Sequence, residues 1–411
     1  MIFHFFFIII VLFRIKECTI LTGTFKIDYN RPHFSCYIGD PVQPITIEFN
    51  QDKQYSLIPR NKFQLNVSST IKQYNTVIIA QDDQVFDADE YSDCLKFFMK
   101  STKFYDFTFF VPKDNIYNQE NENKTKWKNY GVSLAYQFLE DKFSLLRHLK
   151  VNEVIDQMIY GLRMTSDSFG LLLLGVVPDH IKKENNRVVK CKADNSYITW
   201  GCSLIDIAYI DENNKQVLPA FKVDSYASFR MNKGKVSVTK EFMNHIASSI
   251  LSSEFKNNKC HFVTKGKLLN KRYVNCQNYS EFIVKLSKLK ISLHFNNIEL
   301  HIPFQYLFNC SKDWCESLFK DNQMENIKKQ DLWIIGRPIL RNFLTLYNYE
   351  DGTVSFLDKK DVFNVTDSKI YEQDELFNSK NNIKILYSIC SILLIIINIY
   401  IIFQKYLGNK L

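Results

Sequence analysis

The sequence predicts a mainly β protein with a few short helices, in two domain-sized lobes, followed by one membrane-crossing helix. Three observations predict it. Short runs rich in Ile, Val, Phe and Tyr alternate with polar loops, as at residues 76–80, 95–99 and 104–111. The chain has 411 residues, 46% of them hydrophobic, enough for two cores of ordinary size. Residues 385–403 carry no charge and are long enough to span a bilayer.

Residues 1–13 are apolar and are followed by Arg14, Lys16 and Glu17. The run is too short to span a bilayer and fits the apolar region of a signal peptide, assigned here to residues 1–18. An uncleaved anchor is the alternative. Residues 39–59 read as a hairpin arm: Gly39, Asp40 and Pro41 make a turn, then Ile45, Ile47 and Phe49 alternate with polar residues along a strand. Gly is absent between Gly39 and Gly131, so the turns there rely on Asn and Asp. Residues 115–129 form a polar loop. Phe242, Met243, Ile246, Ala247, Ile250 and Leu251 recur at helical spacing, with Thr239 as N-cap. Residues 291–295 and 298–303 read as a hairpin, and Asp351-Gly352 as the turn of another.

Several of these pieces resemble landmarks of the pepsin-like aspartic peptidases. In that family a Gly-x-Pro-x-Gln turn leads along a strand to an Asp-Thr-Gly-Ser loop; here Gly39 to Gln43 leads to Asn50-Gln51-Asp52-Lys53. Gly131-Val132-Ser133-Leu134-Ala135-Tyr136 resembles the hydrophobic-hydrophobic-Gly strand behind the first loop, with Ser133 in the Gly place. Residues 143–149 resemble its short surface helix, and 158–163 with 169–175 its next strand pair. Asp224-Ser225-Tyr226-Ala227-Ser228 resembles the second loop, and Trp333-Ile334-Ile335-Gly336 the second hydrophobic-hydrophobic-Gly segment. The resemblance covers residues 34–358 and implies an all-β bilobal fold. It places the first lobe at 24–195 and the second at 196–358. A stalk (359–384), the membrane helix (385–403) and a cytosolic tail (404–411) follow. A cleft-covering flap is expected between Tyr74 and Cys94.

The resemblance also implies the chemistry. Two close carboxylates share one proton, one acting as base toward water and the other as acid toward the carbonyl oxygen. By this alignment Asp224 is the second aspartate and Asn50 replaces the first. Gln51 and Ser225 take the places of paired Thr residues that tie the loops together. Lys53 replaces a small hydroxyl residue, and Tyr226 replaces a Gly and is expected to fill space near the cleft. Ala227 and Ser228 complete the second loop. An amide cannot serve as the base, so the expectation is a polypeptide-binding pseudo-peptidase. An active endopeptidase using Asp224 with Asp52 is one alternative, and a structural surface glycoprotein with a closed cleft is another.

Five sequons, at Asn66, Asn123, Asn278, Asn309 and Asn364, agree with a lumenal body. A type I single-pass protein of the secretory pathway, a vacuole- or lysosome-like compartment or the cell surface is expected. Apart from Cys18 and Cys390 there are eight cysteines, an even number that favours disulfides. Cys276 and Cys310 flank the 291–303 hairpin, and the resemblance implies a bond between them, with Cys315 near enough to compete. No zinc-ligand spacing and no Gly-x-Ser-x-Gly occurs. No metal and no cofactor are expected. The net charge of +8 is interspersed with acids rather than drawn into a basic stripe, so no nucleic-acid partner is expected. The partners expected are a polypeptide in the cleft and the membrane.

Overall fold

The computed structural model describes residues 21–28, 31–51, 55–60, 63–81, 84–97, 104–113, 132–135, 144–175, 187–190, 199–265, 271–296, 298–322 and 333–358. The expected signal peptide, stalk, membrane helix and tail, together with Asp52, Lys53, Asn123, Cys191 and Asn364, lie outside the described residues. Among the described residues no helix is long and apolar enough to cross a membrane.

The first half runs β1 (Leu21–Asp28), β2 (Arg31–Ile38), β3 (Gln43–Asn50), β4 (Lys72–Gln81), β5 (Gln84–Phe97), β6 (Phe104–Pro112), β7 (Val132–Ser133), α1 (Leu145–Val151), β8 (Ile159–Met164), β9 (Phe169–Leu174) and β10 (Arg187–Lys190). Then come β11 (Gly201–Ile210), β12 (Gln216–Arg230), β13 (Val236–Val238), α2 (Lys240–Ser248), α3 (Ser252–Lys256), β14 (Cys260–Lys265), β15 (Lys271–Gln277), α4 (Ser280–Ser287), β16 (Lys290–Phe295) and β17 (Glu299–Pro303). The chain continues through β18 (Phe308–Cys310), β19 (Trp314–Ser317), β20 (Phe319–Asn322), β21 (Trp333–Gly336), α5 (Arg337–Leu340), β22 (Phe343–Asn348) and β23 (Thr353–Asp358).

These strands form two sheets, one of 12 strands and one of 11. The first holds β1 to β10 together with β22 and β23; the second holds β11 to β21. A boundary drawn at residue 196 therefore needs one correction. Residues 343–358 return to the first sheet, because β22 pairs with β8 and β23 with β10.

The alternation read from residues 45–49 is realised in β3, where Ile45, Ile47 and Phe49 are buried and Thr46 faces out. Gly39 supplies a φ of +85°, and a Cβ there would sit 2.8 Å from Ser68 Oγ. The β4–β5 hairpin fills the stretch where a flap is expected, and its strands pair from Lys72↔Ser92 to Gln81↔Gln84. Tyr74 and Ile78 are exposed on it. Thr239 caps α2 as expected, its hydroxyl accepting from Phe242 N–H at 3.3 Å. Phe242 packs edge-on against Phe319 and Trp333, fixing α2 to the second sheet.

The implied Cys276–Cys310 bond does not form. Cys260 is joined to Cys276 and Cys310 to Cys315, with Cα separations of 4.0 and 3.9 Å. The register explains the pairing: Cys260 faces Cys276 across β14–β15, and Cys310 faces Cys315 across β18–β19. Cys276 also faces Cys315 across β15–β19, so β19 stands between Cys276 and Cys310. Two strand spacings put that pair about 10 Å apart, beyond disulfide reach. Cys36 and Cys94 are buried thiols.

The β16–β17 hairpin forms as read and carries an acid-sensitive knot. Glu299 Oε1 meets His301 Nε2 at 2.8 Å, His294 Nε2 at 3.0 Å and the Ser292 hydroxyl. Burial raises its pKa, but hydrogen bonds from Ser292, His301 and His294 outweigh that and hold it at about 2. The carboxylate therefore adds stability above its ordinary pKa and loses it as pH falls through about 2. Thermal melts of wild type and Glu299→Gln should converge as pH is lowered from 5 toward 2. Parallel curves would refute the role.

Candidate functional site

β3 carries its apolar face inward and ends at Asn50. There it runs parallel to the two-residue β7, with Phe49 opposite Val132 and Asn50 opposite Ser133. Leu134 N–H donates to Asn50 O at 2.7 Å, and Ser133 N–H donates to Ser56 Oγ at 3.0 Å. Asn50 and Ser133 are both buried.

The second lobe repeats this crossing. β12 runs parallel to β21, with Phe229 opposite Ile335 and Arg230 opposite Gly336. In each lobe a buried Phe precedes the residue that faces the end of the hydrophobic-hydrophobic-Gly segment. Arg230 is thus the counterpart of Asn50. After it the chain turns, Lys233 N–H donating to Arg230 O at 3.1 Å, and Arg337 N–H donating to Lys233 O at 2.8 Å. Gly336 is required here: a Cβ would lie 2.3 Å from Lys235 O and 2.6 Å from Lys233 O.

One side chain joins the two crossings. Gln51 is fully buried; its Oε1 accepts from Met231 N–H at 2.7 Å, and its Nε2 donates to Tyr160 Oη at 3.1 Å. Tyr160 Oη and Trp200 Nε1 both donate to Leu134 O, at 3.2 and 3.1 Å. Tyr160 stacks on Tyr347 with ring centroids 4.5 Å apart, and Trp200 meets Tyr347 and Tyr349 edge-on. This aromatic box, from β8, β22 and the segment before β11, fixes the loop junction to the first sheet.

Asp224 does not stand at this junction. It is an exposed residue within β12, six residues before Arg230, with φ of +42° where the β11–β12 register shifts. An extra residue at such a bulge is accommodated by that local backbone. Ser225 to Ser228 are likewise strand rather than loop: they pair with Leu204 to Gly201 of β11. Tyr226 is not strained and does not project as a plug. It is buried over Gly201, and its hydroxyl donates to Thr199 O at 2.6 Å. The tie expected between Gln51 and Ser225 is made instead between Gln51 and Met231.

The model of the eukaryotic aspartyl protease family matches residues 123–358, more than half of the chain. The chain belongs to that family. The match includes the second crossing and begins after the first loop. The crystal structure of the aspartic proteinase from Irpex lacteus aligns with a TM-score of 0.59 at 9% identity, covering 82% of this chain and 97% of that one. At such identity the likeness bears on the fold. No curated protein matches in sequence.

Sequence reasoning missed Arg230, Met231, Asn232 and Lys233. The signal was the distance to the helix: Arg230 lies nine residues before the Thr239 N-cap, and Phe229-Arg230 repeats Phe49-Asn50. Among the described residues no cluster of His, Cys, Asp and Glu could hold a metal. What stands at the two equivalent positions is an amide and a guanidinium. An amide has no proton to give at ordinary pH, and an Arg does not release its own. Around them lies positive charge. Lys320 of β20 is pushed down to about 8, by burial first and then by the cations of Lys271, Lys233, Lys235 and Arg230.

Proposed function

We propose that this member of the aspartyl protease family binds a polypeptide between its lobes without cutting it, from a lumenal body held to a membrane by one C-terminal helix. The observation that carries the reading is the pair of crossings: Asn50 faces Ser133 and Arg230 faces Gly336, with Gln51 bonded to Met231 between them. A proton-sharing carboxylate pair is therefore missing from both places where the scaffold would hold one. The two sheets and both crossings support the reading, because an extended peptide can add to sheet edges through main-chain hydrogen bonds. An activity built on Asp224 would have to work from an exposed bulge six residues away from the junction. The test is incubation with peptide libraries from pH 3 to 7, together with binding of a pepstatin-type transition-state analogue. The expected result is no cleavage and weak or no inhibitor binding. Cleavage lost in Asp224→Ala would overturn the reading.

The anchor rests on the uncharged run 385–403, flanked by Lys384 and Lys405. A lumenal body should carry glycans where its sequons are accessible. Asn66 and Asn309 are exposed. Asn278 is half-buried, and its Nδ2 already donates to Ser311 O at 2.5 Å. Glycopeptide mapping of protein from a secretory host should find sugar on Asn66 and Asn309 and none on Asn278. Bare Asn66 and Asn309 would argue against a lumenal body.

A further inference from the structure

Four half-cystines stand in one row across the second sheet. Cys260 of β14 faces Cys276 of β15, Cys276 faces Cys315 of β19, and Cys315 faces Cys310 of β18. Residues directly opposite one another share a face of the sheet, so the four side chains are successive neighbours. The row holds two bonds, Cys260–Cys276 and Cys310–Cys315. The central pair, Cys276 and Cys315, has the same cross-strand relation as the two bonded pairs. Opposed residues on antiparallel strands lie about 4.5–5.5 Å apart at Cα, within the span of a disulfide. The sulfurs can therefore exchange partners without any change of strand register.

The two bonds differ in access. Cys260, Cys276 and Cys315 are buried, while Cys310 is exposed. A reductant arriving from solvent meets the Cys310 sulfur first, and exposed disulfides are the labile ones. Once its bond is broken, Cys315 has Cys276 beside it. Cys36 and Cys94 lie on β2 and β5 of the first sheet, and Cys202 on β11, so they do not compete. Among the described residues β14 pairs with β15 alone, and Cys260–Cys276 is the covalent tie between them.

We propose that this row is a redox relay in which a dithiol reduces Cys310–Cys315 and the remaining staple moves inward to Cys276–Cys315, releasing Cys260. In the first step a thiolate of the dithiol attacks the Cys310 sulfur, and the electron pair of the broken bond leaves on Cys315. The second sulfur of the dithiol then closes onto the first and releases Cys310. The dithiol is oxidised to a disulfide, and the protein gains two electrons. In the second step the Cys315 thiolate attacks the Cys276 sulfur, the Cys260–Cys276 bond breaks, and Cys260 leaves as a thiolate. This step changes no oxidation state. The two protons lost by the dithiol end on Cys310 and Cys260. Attacking, central and leaving sulfurs are consecutive members of the row, as displacement at a disulfide sulfur requires. The consequence is mechanical: β15 becomes tied to β19, and β14 keeps only its ladder from Cys260↔Cys276 to Lys265↔Lys271. The relay does not depend on the polypeptide-binding reading.

The experiment treats the full-length chain, in detergent micelles at neutral pH, with an equimolar amount of dithiothreitol. The mixture is quenched with acid, alkylated with N-ethylmaleimide in denaturant and mapped by peptide. Singly reduced chains should carry label on Cys260 and Cys310, with Cys276 joined to Cys315. The exchanged form should be about a tenth or more of them, since old and new bonds have the same cross-strand geometry. Label on Cys310 and Cys315 alone would overturn the relay. Cys310→Ser leaves Cys315 free from the start, so Cys260 should become labelled with no reductant at all; label confined to Cys315 would refute the exchange. Cys315→Ser removes the attacking sulfur and should leave Cys260 unlabelled at the same dithiol dose. Labelling of Cys260 there to the wild-type extent would show direct reduction of the buried bond and would also sink the idea. Amide exchange at Phe262 and Thr264 of β14 should quicken about tenfold or more in the exchanged form. Unchanged exchange would refute the release of β14. Thermal melts confirm that both variants fold, and the wild-type arm decides the matter without them.

Discussion

Restoring both carboxylates should create peptidase activity that neither restoration creates alone. Asn50→Asp supplies a single acid at the end of β3, opposite Ser133, and Arg230→Asp a single acid at the end of β12, opposite Gly336. Each single variant lacks one member of the acid–base pair, a group worth ~10²–10⁴ in rate. Asn50→Asp with Arg230→Asp places one carboxylate at the end of β3 and one at the end of β12, the two residues that face Ser133 and Gly336. The Gln51–Met231 bond already holds these ends in register. The double variant should therefore exceed either single variant by about 10²-fold in kcat/KM on an acid-labile peptide pool. It should remain far below an ordinary peptidase. Met231, Asn232 and Lys233 keep the second loop bulky and basic, and small misplacements are expensive in catalysis. Activity profiles at pH 3 to 7 check it, with thermal melts confirming that each variant folds. Cleavage by Asn50→Asp alone, at the level of the double variant, would show that another acid completes the pair.

The parts of the fold that were legible in the sequence share one property: a local pattern determines them. The alternation of Ile45, Ile47 and Phe49 marks a half-buried strand wherever it occurs, and Thr239 followed by Phe242, Met243 and Ile246 marks a capped amphipathic helix. The two-lobed architecture came from the order of such patterns. What was not legible depends on register between distant strands. Asp224 resembled a catalytic aspartate because it is an acid followed by Ser on a strand. The site, however, is defined by which residue of β12 reaches the end of β21, and that is Arg230. A search for a carboxylate passes over the position when a cation stands there. The cysteines show the same limit. Cys260, Cys276, Cys315 and Cys310 fall in one row across β14, β15, β19 and β18, a row that no sequence spacing displays. Tyr226, which the resemblance puts in the place of a loop Gly near the cleft, is in its strand an ordinary buried aromatic with a bonded hydroxyl.

Gln51→Ala should cause one of the largest losses of stability of any single substitution near the site, about 2–4 kcal/mol. The side chain is fully buried and makes two hydrogen bonds, to Met231 N–H at 2.7 Å and Tyr160 Oη at 3.1 Å. Truncation leaves the Met231 N–H buried without its acceptor, which costs about 1–3 kcal/mol. It also leaves a cavity beneath the aromatic box, and its cost depends on how far Tyr160 and Trp200 collapse into it. Gln51→Met separates these effects. It refills most of the volume but offers Met231 no strong acceptor, so it should recover the cavity part and keep the hydrogen-bond part. Urea unfolding read by Trp fluorescence measures both, because Trp200 lies in the box. The order expected is wild type, then Met, then Ala. A loss under about 0.5 kcal/mol for Ala would mean that the bond joining the lobes carries no stability. The consequence extends to binding. If Gln51 holds the end of β3 against Met231, its loss frees the end of β3 from the end of β12. Gln51→Ala should then weaken peptide binding more than Gln51→Met, even at temperatures where both variants are fully folded.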